Sequence, residues 1–345
     1  MTVDWFQNDI DGNILSVPYA PSLGIPGNAI SQNIGTLRNT GIEFSVTATA
    51  MKRNGFTWDI SANYTSVNNQ VIKTFPNAAG LDADVGVGAY QITARVGQPM
   101  NVLYGYTYYG VNSANGYPMY VKGNGSVVQR NVATGTYSFY DSANPTSETN
   151  TTGAALNPAD ISAGGDRQVL GRTIPTWYGG LTNTFNYKNF TLEIFMRYSG
   201  GNKVYNQTRQ DVMLNMDFTN SSRELLNSWT PENTGASLPK MYINQNAAVN
   251  QSGQATTRFV EDGSFLRIQN IILGYSLPKS ILGKGEFKLT NVRIFAQVQN
   301  AFTITGYKGI DPELGALNAN GATIGIDNNV NPLNRTYTLG INIGF

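Results

Sequence analysis

The chain reads as an all-β protein, an antiparallel transmembrane β-barrel with about ten strands present, and three observations predict this. The closing stretch RTYTLGINIGF (335–345) alternates without a break. Arg335, Tyr337, Leu339, Ile341, Ile343 and Phe345 share one parity; Thr336, Thr338, Gly340, Asn342 and Gly344 share the other. A strand turns successive side chains to opposite faces, so this segment has one apolar wall and one small or polar wall. Composition is the second observation: 19 Tyr, 15 Phe and 37 Gly with only 13% charged residues suit strands and polar loops, not helix bundles. The third is that short and long connections alternate along the chain, as in outer-membrane barrels.

Strands are expected at 2–10, 36–51, 56–68, 87–97, 100–111, 174–187, 190–201, 258–279, 286–303 and 334–345. In GIEFSVTATAMK, Ile42, Phe44, Val46 and Ala48 oppose Glu43, Ser45, Thr47 and Thr49. In FTWDISANYT, Trp58, Ile60, Ala62 and Tyr64 oppose Asp59, Ser61 and Asn63. NVLYGYTYYG places Val102, Tyr104, Tyr106 and Tyr108 on one side. TWYGGLTNTFNY sets Trp177, Leu181, Phe185 and Tyr187 against Tyr178, Thr182, Thr184 and Asn186. FTLEIFMRY sets Phe190, Leu192, Ile194, Met196 and Tyr198 against Thr191, Glu193 and Arg197, and NVRIFAQVQN sets Val292, Ile294, Ala296 and Val298 against Arg293, Gln297 and Gln299. The strand at 258–279 loses clean alternation in its first half, where a bulge is expected.

Short turns fall at RNG around residue 54, GQP at 97–99, KN at 188–189 and KSILGKG at 279–285; the long connections are 112–173, 202–257 and 304–333. A length check favours lipid over a soluble core. The aromatic pairs Trp177/Tyr187, Phe190/Tyr198 and Tyr337/Phe345 bracket apolar stretches 10, 8 and 8 residues apart, roughly 26 to 34 Å at about 3.3 Å per residue. Tilted by about 40°, they project to roughly 20 to 26 Å, close to the apolar band of about 25 Å between the two aromatic girdles of a barrel. Trp58, Tyr64, Trp177, Tyr187, Phe190, Tyr198, Tyr337 and Phe345 are therefore expected girdle residues. The competing explanation is the ordinary preference of aromatics for strands. Tyr337, Leu339, Ile341, Ile343 and Phe345 also match the alternating, aromatic-ended last strand by which bacterial barrels are recognised for insertion.

About ten strands would close only a narrow barrel, and left open in lipid they would strand two edges of unpaired backbone groups. Residues 1–345 are therefore expected to be the C-terminal portion of a larger barrel, with Met1 a fragment start. MTVDWFQNDIDG has neither the basic start nor the apolar core of a signal peptide, and no stretch is long and apolar enough for a membrane helix. A balance of 23 basic and 22 acidic residues argues against a large nucleic-acid footprint. With no Cys and no His, thiol catalysis, disulfides, the usual structural zinc and His acid–base chemistry are excluded.

DWFQNDIDGNIL, NIGTLRNTGIEFSV, GQPMNVLYGYTYYGV, VLGRTIPTWYGGLTNTFNYKNFTLEIFMRYSGGNKVYN, FVEDGSFLRIQNIILGYSLP, VRIFAQVQNAFTITGYKGIDPEL and the closing strand together resemble the SusC/RagA-type TonB-dependent transporters of Bacteroidetes outer membranes. The resemblance runs from residue 4 to residue 345. It implies a barrel of about 22 strands, the size class with a plugged lumen. It also implies an N-terminal plug, a TonB-contacting segment, and a SusD-like surface lipoprotein over the extracellular mouth. Plug and TonB box are not found in these residues, so coupling to the TonB complex is expected through a missing N-terminal part. Family members often carry an Asp-rich turn near the middle; VKGNGSVV has no acidic residue there, and no metal or other cofactor is expected.

Glu193 and Asp59 lie on the parity facing away from lipid, where polar residues are the rule, and no catalytic role is expected. KGNGS (122–126) does not lead from a strand into a helix and reads as a turn rather than a phosphate loop. Glu43, Asp262 and Arg267 read as lumen-facing packing and turn chemistry. Recognition of a glycan or peptide is expected in the long loops, from Tyr108, Tyr109, Tyr117, Tyr120, Tyr137, Tyr140, Trp229 and Tyr242. Such rings stack and hydrogen-bond, or else pack the loops together. Two further readings stay open at this point: a small autonomous barrel for adhesion or anchoring, and a soluble β-rich glycan-binding module.

Overall fold

A computed structural model describes residues 1–19, 21–77, 79–148, 161, 165–214, 220–242, 254–282, 289–313 and 324–345. In chain order its strands are β1 (Thr2–Pro18), β2 (Ala29–Arg53), β3 (Phe56–Lys73), β4 (Val85–Val87), β5 (Gln91–Ala94), β6 (Val102–Val111), β7 (Pro118–Val121), β8 (Val127–Arg130), β9 (Tyr137–Phe139) and β10 (Gln168–Arg172). There follow β11 (Trp177–Tyr187), β12 (Phe190–Gly200), β13 (Lys203–Asn206), β14 (Ala255–Thr256), β15 (Val260–Asp262), β16 (Phe265–Ser276), β17 (Asn291–Thr305), β18 (Ile326–Asp327) and β19 (Thr336–Gly344).

Eight of these form one sheet in the order β1-β2-β3-β11-β12-β16-β17-β19, every pairing antiparallel. The path does not close on itself, so the sheet is a curved section of barrel wall with β1 and β19 at its edges. Two of its hairpins are tight for a local reason. Asn54 and Gly55 both take positive φ between β2 and β3, the backbone of a two-residue turn that follows strand twist, and Lys188 does so between β11 and β12. The turn expected at 279–285 begins with a short helix, Lys279–Leu282; its residues 283–285, and 286–288 of the strand expected after it, lie outside the described residues. The stretch 258–279, expected as one strand with a bulge in its first half, is instead divided: Thr257–Phe259 is a 3-10 turn, β15 joins a different sheet through β13, and only β16 enters the barrel sheet. Its register irregularity falls mid-stretch, where the β12–β16 pairing shifts between Phe195 and Met196 and the β16–β17 pairing between Ile268 and Asn270.

The stretches 87–97 and 100–111, expected as barrel strands, belong elsewhere. β4, β5 and β6 pair with β7, β8 and β9 in a second sheet, to which β10 and β14 add through β6. The reason lies in β6, where Val102 and Leu103 are fully buried and Tyr104 and Tyr106 nearly so. Both faces are covered, which a lipid-facing strand cannot be. Gly105 lets β14 run parallel and close beside β6, since a Cβ there would lie 2.0 Å from the Ala255 carbonyl oxygen. A three-stranded sheet, β15-β13-β18, completes this loop region.

The hydrophobic core sits in the loop region rather than behind the barrel sheet. Its clusters are built on Leu103, Tyr205, Met213 and Phe259, on Tyr106, Tyr120, Val128 and Tyr137, and on Ile92, Val102 and Tyr104. β1, β2 and β3 outrun the span of a bilayer, and their long ends dock on the loops through Leu15, Val17, Leu37, Val71 and Phe75.

Candidate functional site

The barrel sheet has two chemically distinct faces, and the parity read from the sequence assigns them. The convex face carries Ile42, Tyr64, Tyr187, Phe190, Leu273, Ile294, Tyr337, Leu339, Ile341, Ile343 and Phe345, all exposed, Leu339 to 84%. Removing one such side chain from water is worth about 1.5–3 kcal/mol, so an array of this size is stable only against lipid. Aromatics gather toward both ends of the strands. Near the short turns, Trp58 stacks on Phe185 with ring centres 5.6 Å apart, and Phe190 meets Tyr275 at 4.7 Å. Toward the loop end, Trp177 and Tyr198 lie 6.2 Å apart. Gly179 makes room there, since a Cβ on it would meet the Tyr198 hydroxyl at 2.6 Å. Asn183, a polar group on this face between Ile60 and Ile194, accepts a hydrogen bond from Trp58 Nε1 at 3.1 Å.

The concave face mixes polar side chains with a few rings, Phe6, Phe195 and Phe295 among them, and lines a cavity of about 730 Å³ bounded by Asp4, Glu43, Asn63, Tyr178, Phe195, Arg197 and Glu313. Glu43 is thus lumen-facing, as expected, and so is Arg267. The register places Arg197 directly opposite Arg267, a repulsive pair on its own. Two carboxylates relieve it. Arg267 donates to Asp311 at 2.6 Å and to Glu313 at 2.9 Å, while Arg197 pairs with the other oxygen of Glu313. Arg267 is only 1% exposed, and Thr303 Oγ1 takes its remaining Nε–H at 3.0 Å. The segment 306–313 is thereby folded onto the lumen wall. Asp262 lies outside this network; it receives Lys203 Nζ at 3.1 Å and the Ser264 amide. Sequence reasoning missed the latch; its one local signal was the acidic pair in GIDPEL after a strand carrying lumen-parity arginine.

The eight loop aromatics separate into groups. Tyr120 (1% exposed) and Tyr137 are buried with Tyr106 and Val128, and Tyr108 meets Tyr120 edge-on at 5.7 Å. A ligand cannot reach Tyr120 or Tyr137 without opening the fold, so the expected substrate contact is corrected to loop packing for these two. Trp229 is also buried; its Nε1 donates to the Ser113 carbonyl at 2.8 Å and its ring covers Gly116, while it still borders a surface cleft. Tyr117 and Tyr242 are brought together around Glu148, which accepts two hydrogen bonds from Asn131 Nδ2 at 3.2 and 3.0 Å. Burial, then the Glu148 charge, pushes the Tyr117 phenol up to about 12 and raises Tyr242 in the same direction. Tyr140 is partly buried beside β8 and Tyr109 stands exposed at 58%. KGNGS is the tight turn between β7 and β8, closed by Gly125 N–H to the Lys122 carbonyl; Lys122 Nζ is held by buried Asp166 at 2.9 Å.

No family model matches the chain. Among curated proteins it is 31% identical over 328 residues to TonB-dependent receptor P3 of Formosa agariphila, covering 91% of this chain and 29% of that one. It is 30% identical over 322 residues to TonB-dependent receptor SusC of Bacteroides thetaiotaomicron, covering 92% of this chain and 27% of SusC. The chain belongs to the SusC-type TonB-dependent receptors. It is an outer-membrane protein, and it spans about a third or less of the length of these relatives. The fold agrees: the RagAB peptide importer in its open-open state superimposes with a TM-score of 0.73 at 22% identity, over 99% of this chain and 32% of that one.

Proposed function

We propose that this chain supplies part of the barrel wall and the extracellular loops of an outer-membrane importer for nutrient oligomers, glycans or peptides. One observation carries the reading: a single sheet separates an exposed apolar face from a more polar, cavity-lined face, and a folded loop region stands over its long ends. Residues 1–345 are read as the C-terminal portion of the barrel. A plug and TonB contact come from the rest of the protein, and a SusD-like lipoprotein closes the mouth. Tyr108, Tyr109, Tyr117, Tyr140, Trp229 and Tyr242 remain the candidate substrate-facing rings, and the eight girdle aromatics and the β19 pattern retain their proposed roles. No reaction chemistry is assigned. The autonomous-barrel reading is disfavoured by the two open edges, each row of unpaired backbone groups being costly in lipid. The soluble-module reading is disfavoured by the exposed apolar face.

The test is uptake. Cells lacking this protein are supplied with labelled oligosaccharides and labelled oligopeptides too large for general porins. Loss of energy-dependent uptake of one class, restored by the gene, supports the reading and chooses the class. Unchanged uptake of both, with the protein present in the wild-type outer membrane, would sink it.

A further inference from the structure

A second cavity, about 650 Å³, opens in the loop region away from the lumen wall. Leu225, Trp229 and Met241 give it an apolar lining, with Arg223 and Lys240 bordering it and no acidic side chain among the described residues that line it. Neither basic side chain forms an ion pair among the described residues; the nearby Glu224 is taken by Arg209 at 2.6 Å. Ser228 also lines the cleft. It is 7% exposed, and its Oγ is buried without a hydrogen-bond partner. A buried hydroxyl in that state carries an unmet cost that a ligand acceptor would remove.

We propose that this cleft binds the carboxylate end of a short apolar peptide. The apolar lining takes one or two aliphatic side chains, Arg223 and Lys240 take the carboxylate, and Ser228 Oγ donates to the ligand. A glycan fits less well. Sugars are gripped by carboxylate and amide side chains, whereas the described lining has neither, and the Trp229 N–H is already committed to Ser113. The proposal rests on the importer reading only for the use to which the peptide is put.

The test uses the full receptor purified in detergent from the outer membrane, titrated calorimetrically. The probes are N-acetyl-leucyl-leucine, the same dipeptide as its carboxamide, and maltotriose. The free acid is expected to bind about tenfold more tightly than the amide, as for one charge-assisted contact. Arg223→Gln with Lys240→Gln should erase that preference. Ser228→Ala should weaken binding about threefold while leaving the melting temperature unchanged or higher, because the lost hydroxyl had no partner. Equal binding of acid and amide, preference for maltotriose, or an unaltered preference in the double variant overturns the proposal. Peptide binding without peptide uptake by cells would count against the importer reading instead, and peptide uptake without this binding against the cleft.

Discussion

The barrel sheet and the loop region are both built of strands, but the barrel sheet inverts the usual relation of inside to outside. In the loop region Leu103, Tyr120, Tyr205 and Phe259 are sealed from solvent and the fold is held by its own core. In the sheet the large apolar groups point outward, and polar groups such as Arg267 and Asp311 are the buried ones. Exposure therefore has opposite meanings in the two regions. The loops are stabilised by removing apolar surface from water, the sheet by lipid, backbone pairing and an interior ion network.

The largest expected effect tests that interior network. Arg267→Ala leaves Asp311 buried without its partner and should cost about 3–5 kcal/mol, read as a lower urea midpoint of the detergent-solubilised protein. Protease cleavage within 306–313 should accompany it. An unchanged midpoint would mean that the latch is decorative. Tyr120→Ala addresses the opposite region and should cost about 3–5 kcal/mol by opening a cavity in the loop core. Here proteolysis should fall within 112–140 while the heat-modifiable barrel band persists. Joint loss of both would break the division into two regions.

What the sequence made legible follows the same division. Parity alone placed Ile42, Tyr64, Tyr187 and Ile341 on the lipid face and Glu43, Asn63 and Arg197 on the lumen face, because lipid enforces one strict alternation over the whole strand. The same alternation misplaced 100–111. A period of two says that a strand has two faces, not which sheet it joins, and Tyr104 and Tyr106 pack into a core as readily as into a girdle. The latch was out of reach since Arg267 and Asp311 are 44 residues apart. Burial of Tyr120 and Trp229 depends likewise on how a long connection folds back on itself.

A matched pair of substitutions sharpens the comparison. Ile341 and Leu23 are exposed to nearly the same degree, 57% and 62%, one on β19 and the other in the connection between β1 and β2. Ile341→Arg should destabilise the protein in liposomes by about 2–4 kcal/mol if it sits near the bilayer midplane, whereas Leu23→Arg should stay within about 0.5 kcal/mol. Equal effects would show that both positions face water. A smaller loss is expected from Trp58→Phe, about 1–3 kcal/mol, because it keeps the stack on Phe185 but leaves Asn183 without its donor in lipid. Trp58→Phe with Asn183→Leu should recover most of that loss; failure to recover would assign it to packing instead.

The gentlest probe acts on the loops alone and uses pH. Tyr117 titrates near 10 in an unfolded chain but is pushed up to about 12 in the fold, first by burial and then by the Glu148 carboxylate. A phenol whose folded value is raised binds its proton more tightly when folded. Its contribution is fully present below pH of about 10 and is lost as pH rises through about 12. Stability of the loop region, followed by near-ultraviolet circular dichroism, should therefore decline across that window. The sheet's resistance to heat in detergent should change less, since Glu148, Tyr117 and Tyr242 all lie outside the barrel strands. Tyr117→Phe should flatten the decline, with Tyr242 supplying what remains. If the wild-type decline survives that substitution in full, the Glu148 cluster is not what couples the loops to alkali, and the buried phenols around Tyr120 become the place to look.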